Sequence, residues 1–192
     1  MPTSFRTRLV LTLGPICRLG LVTLALAVLV AGCGPQPAST TVPSAAAPLA
    51  SFTQNSVQVD IRLERGADQQ AVLAATYTPL EDGFHVYSKD LPRQGVDGVG
   101  RPTLLELAPG SKIQARGVLS ESAAPKSLNA DNPVLMVYPA GPVTLRLPVT
   151  LPAGSAEVDD QVTVTYMTCN ATECRPPVVA KAVTVRVPGA GS

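Results

Sequence analysis

Strict alternation of apolar and polar side chains most limits what this 192-residue chain can become. In "SVQVDIRLERG", Val57, Val59, Ile61 and Leu63 alternate with Gln58, Asp60 and Arg62 before a stop at Gly66. Period two puts one set of side chains on each face of an extended strand, so the segment reads as a strand half buried against a core. The pattern recurs. "VTLRLPVTL" alternates through Val143, Leu145 and Leu147, and its Pro148, which has no N–H to give a sheet, predicts an edge or a bulge. "DQVTVTYMTC" places Val162, Val164 and Tyr166 on one face, and "VVAKAVTVRV" closes the domain with Val179, Val183, Val185 and Val187. "AVLAATYTPLEDGFHVYS" reads as two strands joined by a turn from Pro79 to Gly83, and "PTLLELAPGSKI" as a further strand broken by Pro109 and Gly110. No stretch of about ten residues shows a helical face. Roughly seven short strands, with turn signals every ~8 to 15 residues, predict an all-β chain: an immunoglobulin-like antiparallel β-sandwich.

The first 32 residues stand outside that pattern. Arg6, Arg8 and Arg18 make a basic leader, the run from Leu19 to Ala31 is apolar apart from Gly20 and Thr23, and "VAGC" ends at Cys33. At about 1.5 Å per residue the run falls short of a bilayer core of roughly 30 Å. "VAGC" looks like a bacterial lipobox, so residues 1–32 are expected to be a lipoprotein signal peptide and Cys33 the lipid attachment point; the alternative is an ordinary secretory signal. Either way the mature chain is exported, and a lipid on Cys33 would hold it to a membrane. From Cys33 to Ser51 the chain is rich in Pro, Ala, Ser and Thr and carries no charge, the composition of an extended linker. The folded domain is then expected over residues 52–192. Loss of the three leader arginines takes the formal charge from +1 to −2. No basic stripe for nucleic acid is present.

Export also simplifies the cysteines. Cys17 leaves with the leader and Cys33 takes the lipid, which leaves Cys169 and Cys174 as the pair available to an oxidising compartment. They sit in "TYMTCNATECRPP", between one strand ending and another beginning at Val178. Asn170, Ala171 and Thr172 are turn formers, while Pro176 restricts Arg175 to extended geometry. Two readings follow. A disulfide across so short a loop is a staple contributing about 2 kcal/mol in the chain-entropy model. Alternatively the tip displays a redox pair, since thiol–disulfide exchange needs an accessible sulfur. Glu173 would raise the Cys174 thiol pKa and Arg175 would lower it.

A resemblance bears on that choice. From about Phe84 to Val187 the chain resembles the family of N-terminal periplasmic domains of the thiol–disulfide interchange protein DsbD. The similarity is carried by "VTYMTCNATECRPP", with support from "DGFHVYS", "GRPTLLEL" and "VYPAGPVTLRLPV". The resemblance implies an immunoglobulin-like module relaying reducing equivalents to extracytoplasmic, thioredoxin-like thiol proteins. Cys174 would form the mixed disulfide and Cys169 would resolve it, with no cofactor and no metal. Three features depart from the family. The segment "APKSLNADNPVL", in the place of an aromatic-bearing cap loop, has no Phe or Tyr; the spacer "NATE" has no aromatic; and the chain ends at Ser192 without an electron-channel or thioredoxin-like domain, so electrons are expected from a separate protein.

His85, the only histidine, reads as a structural or surface residue on a strand beside Tyr87. Tyr166 and Tyr138 read as core or rim aromatics, with lining of the disulfide site as the second reading; Glu173, Arg175 and Pro176 flank the pair. A Cu(I) reading would use Cys169, Cys174, Met167 and His85 as soft ligands. A third is a non-catalytic envelope binding module with a structural disulfide.

Overall fold

The computed structural model describes residues 47–66, 68–128 and 133–191. The expected signal peptide, Cys33 and most of the linker lie outside the described residues. Among the described residues there is no helix, and none is long and apolar enough to cross a membrane.

The first strands in chain order are β1 (Ala50–Gln54), β2 (Val57–Arg65), β3 (Ala71–Pro79) and β4 (His85–Val86). Then come β5 (Leu104–Leu107), β6 (Gln114–Ala115), β7 (Ser120–Glu121), β8 (Lys126–Ser127) and β9 (Met136–Val137). The last are β10 (Val143–Thr150), β11 (Val158–Tyr166), β12 (Thr168–Cys169) and β13 (Val178–Val187). One sheet runs β1-β2-β3-β10, and the far side of β10 is shared by β6 and β7; the other runs β13-β11-β5. All these pairings are antiparallel. The order β2-β3-β10-β6/β7 against β5-β11-β13 is the four-and-three arrangement of an immunoglobulin constant-type sandwich, with β1 added outside the first strand.

Alternation sets the inner faces. Val57, Val59 and Ile61 of β2, with Val143, Leu145 and Val149 of β10, are buried against Val162, Val164 and Tyr166 of β11 and Val185 and Val187 of β13. Each such side chain contributes roughly 1.5–3 kcal/mol through burial. Tyr77 and Tyr166 join the two sheets, their rings edge to face with centroids 5.6 Å apart. Their hydroxyls donate to the carbonyls of Leu104 at 2.6 Å and Gln54 at 2.9 Å, which satisfies both phenols inside the core.

Four details differ from expectation, each for a local reason. Ala50 and Ser51, expected in the linker, already belong to β1, where they pair with Ile61 and Asp60. β3 and β4 do not form a hairpin. The turn through Glu81 and Gly83 carries the chain out of the large sheet, and β4 pairs with β12 in a small sheet of its own. Val179 is exposed and Val178 buried, the reverse of the expected face. A β-bulge explains it: the register shifts between Val164 and Tyr166, and Ala180 takes the left-handed φ of 47°, so the alternation of β13 changes phase there. Pro148 lies within β10 and pairs with Val72 of β3, but its carbonyl, on the other side, accepts from Arg116 N between the short strands β6 and β7. The missing N–H therefore falls where the neighbouring edge is already interrupted.

Candidate functional site

β11 and β13 are joined by the loop that bears both cysteines, and the two arms of this loop are held by different parts of the fold. After Tyr166 the chain leaves its sheet partner and β12 pairs with β4, placing Thr168 opposite Val86 and Cys169 opposite His85. Thr168 Oγ1 donates to the His85 carbonyl at 3.0 Å. The tip is an Asn-nucleated turn: Asn170 Oδ1 accepts from the backbone N–H groups of Thr172 and Glu173, both at 2.8 Å. Asn170 N donates to the Glu173 carbonyl and Arg175 N to that of Thr168, both at 2.9 Å. These bonds bring Cys169 and Cys174 opposite each other, and they form a disulfide with an S–S distance of 2.06 Å.

The two sulfurs sit in unlike surroundings. Cys169 is 2 % exposed, in a cluster with Tyr87, Leu91, Leu135 and Val137, against which Met167 and Val96 also pack. Its Sγ accepts a hydrogen bond from Tyr87 Oη at 3.2 Å. Burial pushes the Tyr87 phenol above its ordinary pKa, so it stays protonated and able to donate at neutral pH. Cys174 is exposed, as are Glu173, Pro176 and Pro177.

Charge gathers on the Cys174 arm. Arg175 Nη2 lies 2.7 Å from Glu81 Oε2, its Nη1 lies 3.1 Å from Glu173 Oε2, and its guanidinium carbon stands 5.1 Å from the centre of the Phe84 ring. Ser56 Oγ donates to the other Glu81 oxygen; this bond first, then the Arg175 guanidinium, holds the Glu81 carboxyl below its usual pKa. Asn55 Nδ2 donates to the Pro176 carbonyl at 2.7 Å. Asn55 and Ser56 form the two-residue β1–β2 turn, with φ of 50° and 60°, the left-handed pair of a type I′ hairpin.

His85 is 9 % exposed, and its ring centroid lies 5.8 Å from that of Tyr87, edge to face. Residues opposite each other in an antiparallel pair share a face of the sheet, so His85 and Cys169 lie on one face of the β4–β12 pair. Its Nε2 is buried with no hydrogen-bond partner. Burial pushes its pKa below the ordinary value; a backbone hydrogen bond at Gly83 opposes that and the charge of Lys126 adds to it.

Of the residues singled out in the sequence, the fold brings Cys169, Cys174, Glu173, Arg175 and Pro176 together and places His85 beside them. Tyr138 and Tyr166 are both about fully buried in the main core instead, Tyr138 accepting from Lys89 N at 3.1 Å and Tyr166 having its phenol pushed up to about 12 by burial. Tyr87 is the aromatic that reaches the disulfide; its one signal in the sequence is its place two residues after His85, on the same face of a strand. Glu81, Phe84, Asn55 and Ser56 carry no such signal. Of the segment in the place of the cap loop, Leu135 packs in the Cys169 cluster, as does Val137 just beyond it, while Val134 is exposed. No three His, Cys, Asp or Glu side chains among the described residues are grouped so as to hold a metal ion.

No family model matches the chain, and no curated protein matches it. Among solved structures, it is similar to the N-terminal domain of Neisseria meningitidis DsbD in the reduced form, at 16% sequence identity and a TM-score of 0.42, over 70% of this chain and 86% of that one.

Proposed function

We propose that this protein is an extracytoplasmic thiol–disulfide exchange domain, with Cys174 as the sulfur that meets partners and Cys169 as the one that resolves the mixed disulfide. The observation that carries this reading is the asymmetry of the disulfide: one cysteine exposed at a loop tip, the other 2 % exposed with its sulfur hydrogen-bonded by Tyr87. A staple requires no such difference.

Exchange uses both environments. A partner thiolate attacks Cys174 Sγ, a new S–S bond forms there, and the Cys169–Cys174 bond breaks with its electron pair on Cys169. The Tyr87 O–H points at the sulfur where that charge develops; a hydrogen bond to an ionised group contributes about 1.5–3 kcal/mol. A second partner thiolate then releases Cys174, leaving the domain as a dithiol and the partner as a disulfide. In reverse, Cys174 thiolate attacks a partner disulfide, and Cys169 attacks Cys174 Sγ, expelling the partner's remaining sulfur as a thiolate. The domain is oxidised by two electrons and the partner reduced. Thioredoxin-like thiol proteins are the expected partners. Acylation at Cys33, with the residues between it and β1 as a tether, would keep the exposed tip at a bacterial envelope membrane.

The test is the reduction potential of the pair in the full-length protein. Oxidised and reduced peptides bearing Cys169 and Cys174 are quantified by differential alkylation after equilibration with glutathione or dithiothreitol buffers. A value of roughly −180 to −270 mV is expected of an exchanger; one well below about −300 mV would mark an inert structural bond and end this reading.

A further inference from the structure

Arg175 follows the exposed cysteine directly, yet its side-chain ion pairs and ring contact are with Glu173, Glu81 and Phe84 and not with either cysteine. Its guanidinium joins the loop tip at Glu173, the β3–β4 turn at Glu81 and the Phe84 ring, and Glu81 is tied in turn to Ser56 of the β1–β2 turn. Glu81 lies 94 positions from Arg175 in the chain, and Asn55 lies 121 positions from Pro176, whose carbonyl it holds. The Cys174 arm is thus fastened to two turns of the other sheet. The Cys169 arm is fastened separately, through β12 to β4. None of these contacts runs through the disulfide.

We infer that Arg175, with Glu81 as its anchor, is a positioning residue that holds the Cys174 arm against the Cys169 arm whether or not the sulfurs are bonded, and so sets the effective concentration at which the two thiols meet. This deepens the exchange reading and rests on it for its biological meaning. In a free chain, cutting the S–S bond would release the backbone and side-chain freedom of the exposed arm, and closure would then have to remove that freedom again. A clamp that persists in the dithiol has removed it beforehand. Closure is therefore favoured by pre-organisation, the same principle by which a rigid binder gains affinity.

The experiment measures the equilibrium constant for closing the pair against dithiothreitol in the full-length protein, its Arg175→Met and Glu81→Ala variants and the double variant, with the unfolding midpoint recorded for each. The clamp predicts that each single variant lowers the closing constant about tenfold, a shift of about 30 mV for a two-electron couple. The double variant should lose little more, because both changes remove one contact. Glu81→Ala keeps the Arg175 charge beside Cys174. If it leaves the constant unchanged while Arg175→Met raises it, Arg175 acts through its charge, stabilising the Cys174 thiolate of the open pair, and the inference is overturned. Unchanged constants in both variants, with only the unfolding midpoint lowered, overturn it equally. A wild-type potential too low for exchange would defeat the functional reading while leaving the ratio between variants to decide the clamp.

Discussion

The two arms of the cysteine loop are built on opposite principles. The Cys169 arm is a two-residue strand whose sulfur is packed among Leu91, Leu135 and Val137 with one phenol donor aimed at it. The Cys174 arm is exposed and held by charge and hydrogen bonds through Arg175, Glu81, Glu173 and Asn55. Apolar burial excludes attacking thiols, whereas a polar clamp fixes a backbone and leaves its side chain accessible. The same disulfide therefore joins an exposed cysteine to a buried one, and the difference comes from two kinds of packing within six residues.

The most severe way to break the comparison is to remove one sulfur at a time. Cys169→Ser should accumulate a mixed disulfide at Cys174 with a small thiol such as glutathione, seen by mass spectrometry, because nothing remains to resolve it. Cys174→Ser should form none at Cys169, since that residue is buried. Equal labelling of the two variants would mean that the arms do not differ in access. A milder change addresses the donor. Tyr87→Phe keeps the ring and removes the O–H, so the reaction of the disulfide with glutathione should slow about tenfold, in line with a hydrogen bond to a developing thiolate. Stopped-flow rates in the two proteins decide it, and equal rates would remove Tyr87 from the chemistry.

Beyond the sulfurs, the bulge near the start of β13 can be tested on its own. Ala180 holds a φ of 47°, which a side chain disfavours by about 1 kcal/mol and glycine does not. Ala180→Gly should leave the reduction potential unchanged. Its stability, read from urea unfolding, should rise by up to about 1 kcal/mol. A shifted potential would show that the bulge, and not only the two arms, aims the pair.

These contrasts mark what was legible in the sequence. Where a strand has one dry face, as in β2, β10 and most of β11, alternation names the buried residues, because a slip by one position would turn the whole set to solvent. Val179 escaped that logic because the bulge at Ala180 inserts a residue that period two cannot register. The fate of the "GFHVYS" strand escaped it too, since its partner β12 lies more than eighty positions away and only two residues pair on each side. The cysteine pair and the turn-forming Asn170 are local and were readable from spacing and residue type. The polar clamp is long-range: no property of Glu81 in the sequence distinguishes it from the chain's other carboxylates. Tyr138 and Tyr87 are both buried tyrosines, and only the crossing of β4 into the small sheet decides which of them reaches sulfur.

The gentlest probe of the comparison is pH, acting through His85 on the buried side. Its imidazole is largely out of water with Nε2 unpartnered, and burial lowers its pKa from the ordinary 6.5. A proton therefore binds the unfolded chain more readily than the folded one. The stability tied to the neutral ring is complete above pH 6.5 and is lost as pH falls from there through the lowered folded value. The Cys174 arm has no corresponding loss in that window, because the Glu81 pKa is lowered from 4.5 and the carboxylate stays ionised in the clamp. Unfolding midpoints measured from pH 7.5 to 5 should decline below about 6.5 in the wild type, and His85→Phe, which keeps an aromatic ring without the titrating nitrogen, should flatten that decline. The same slope in both proteins would assign the acid sensitivity elsewhere and leave the buried arm no more responsive to pH than the exposed one.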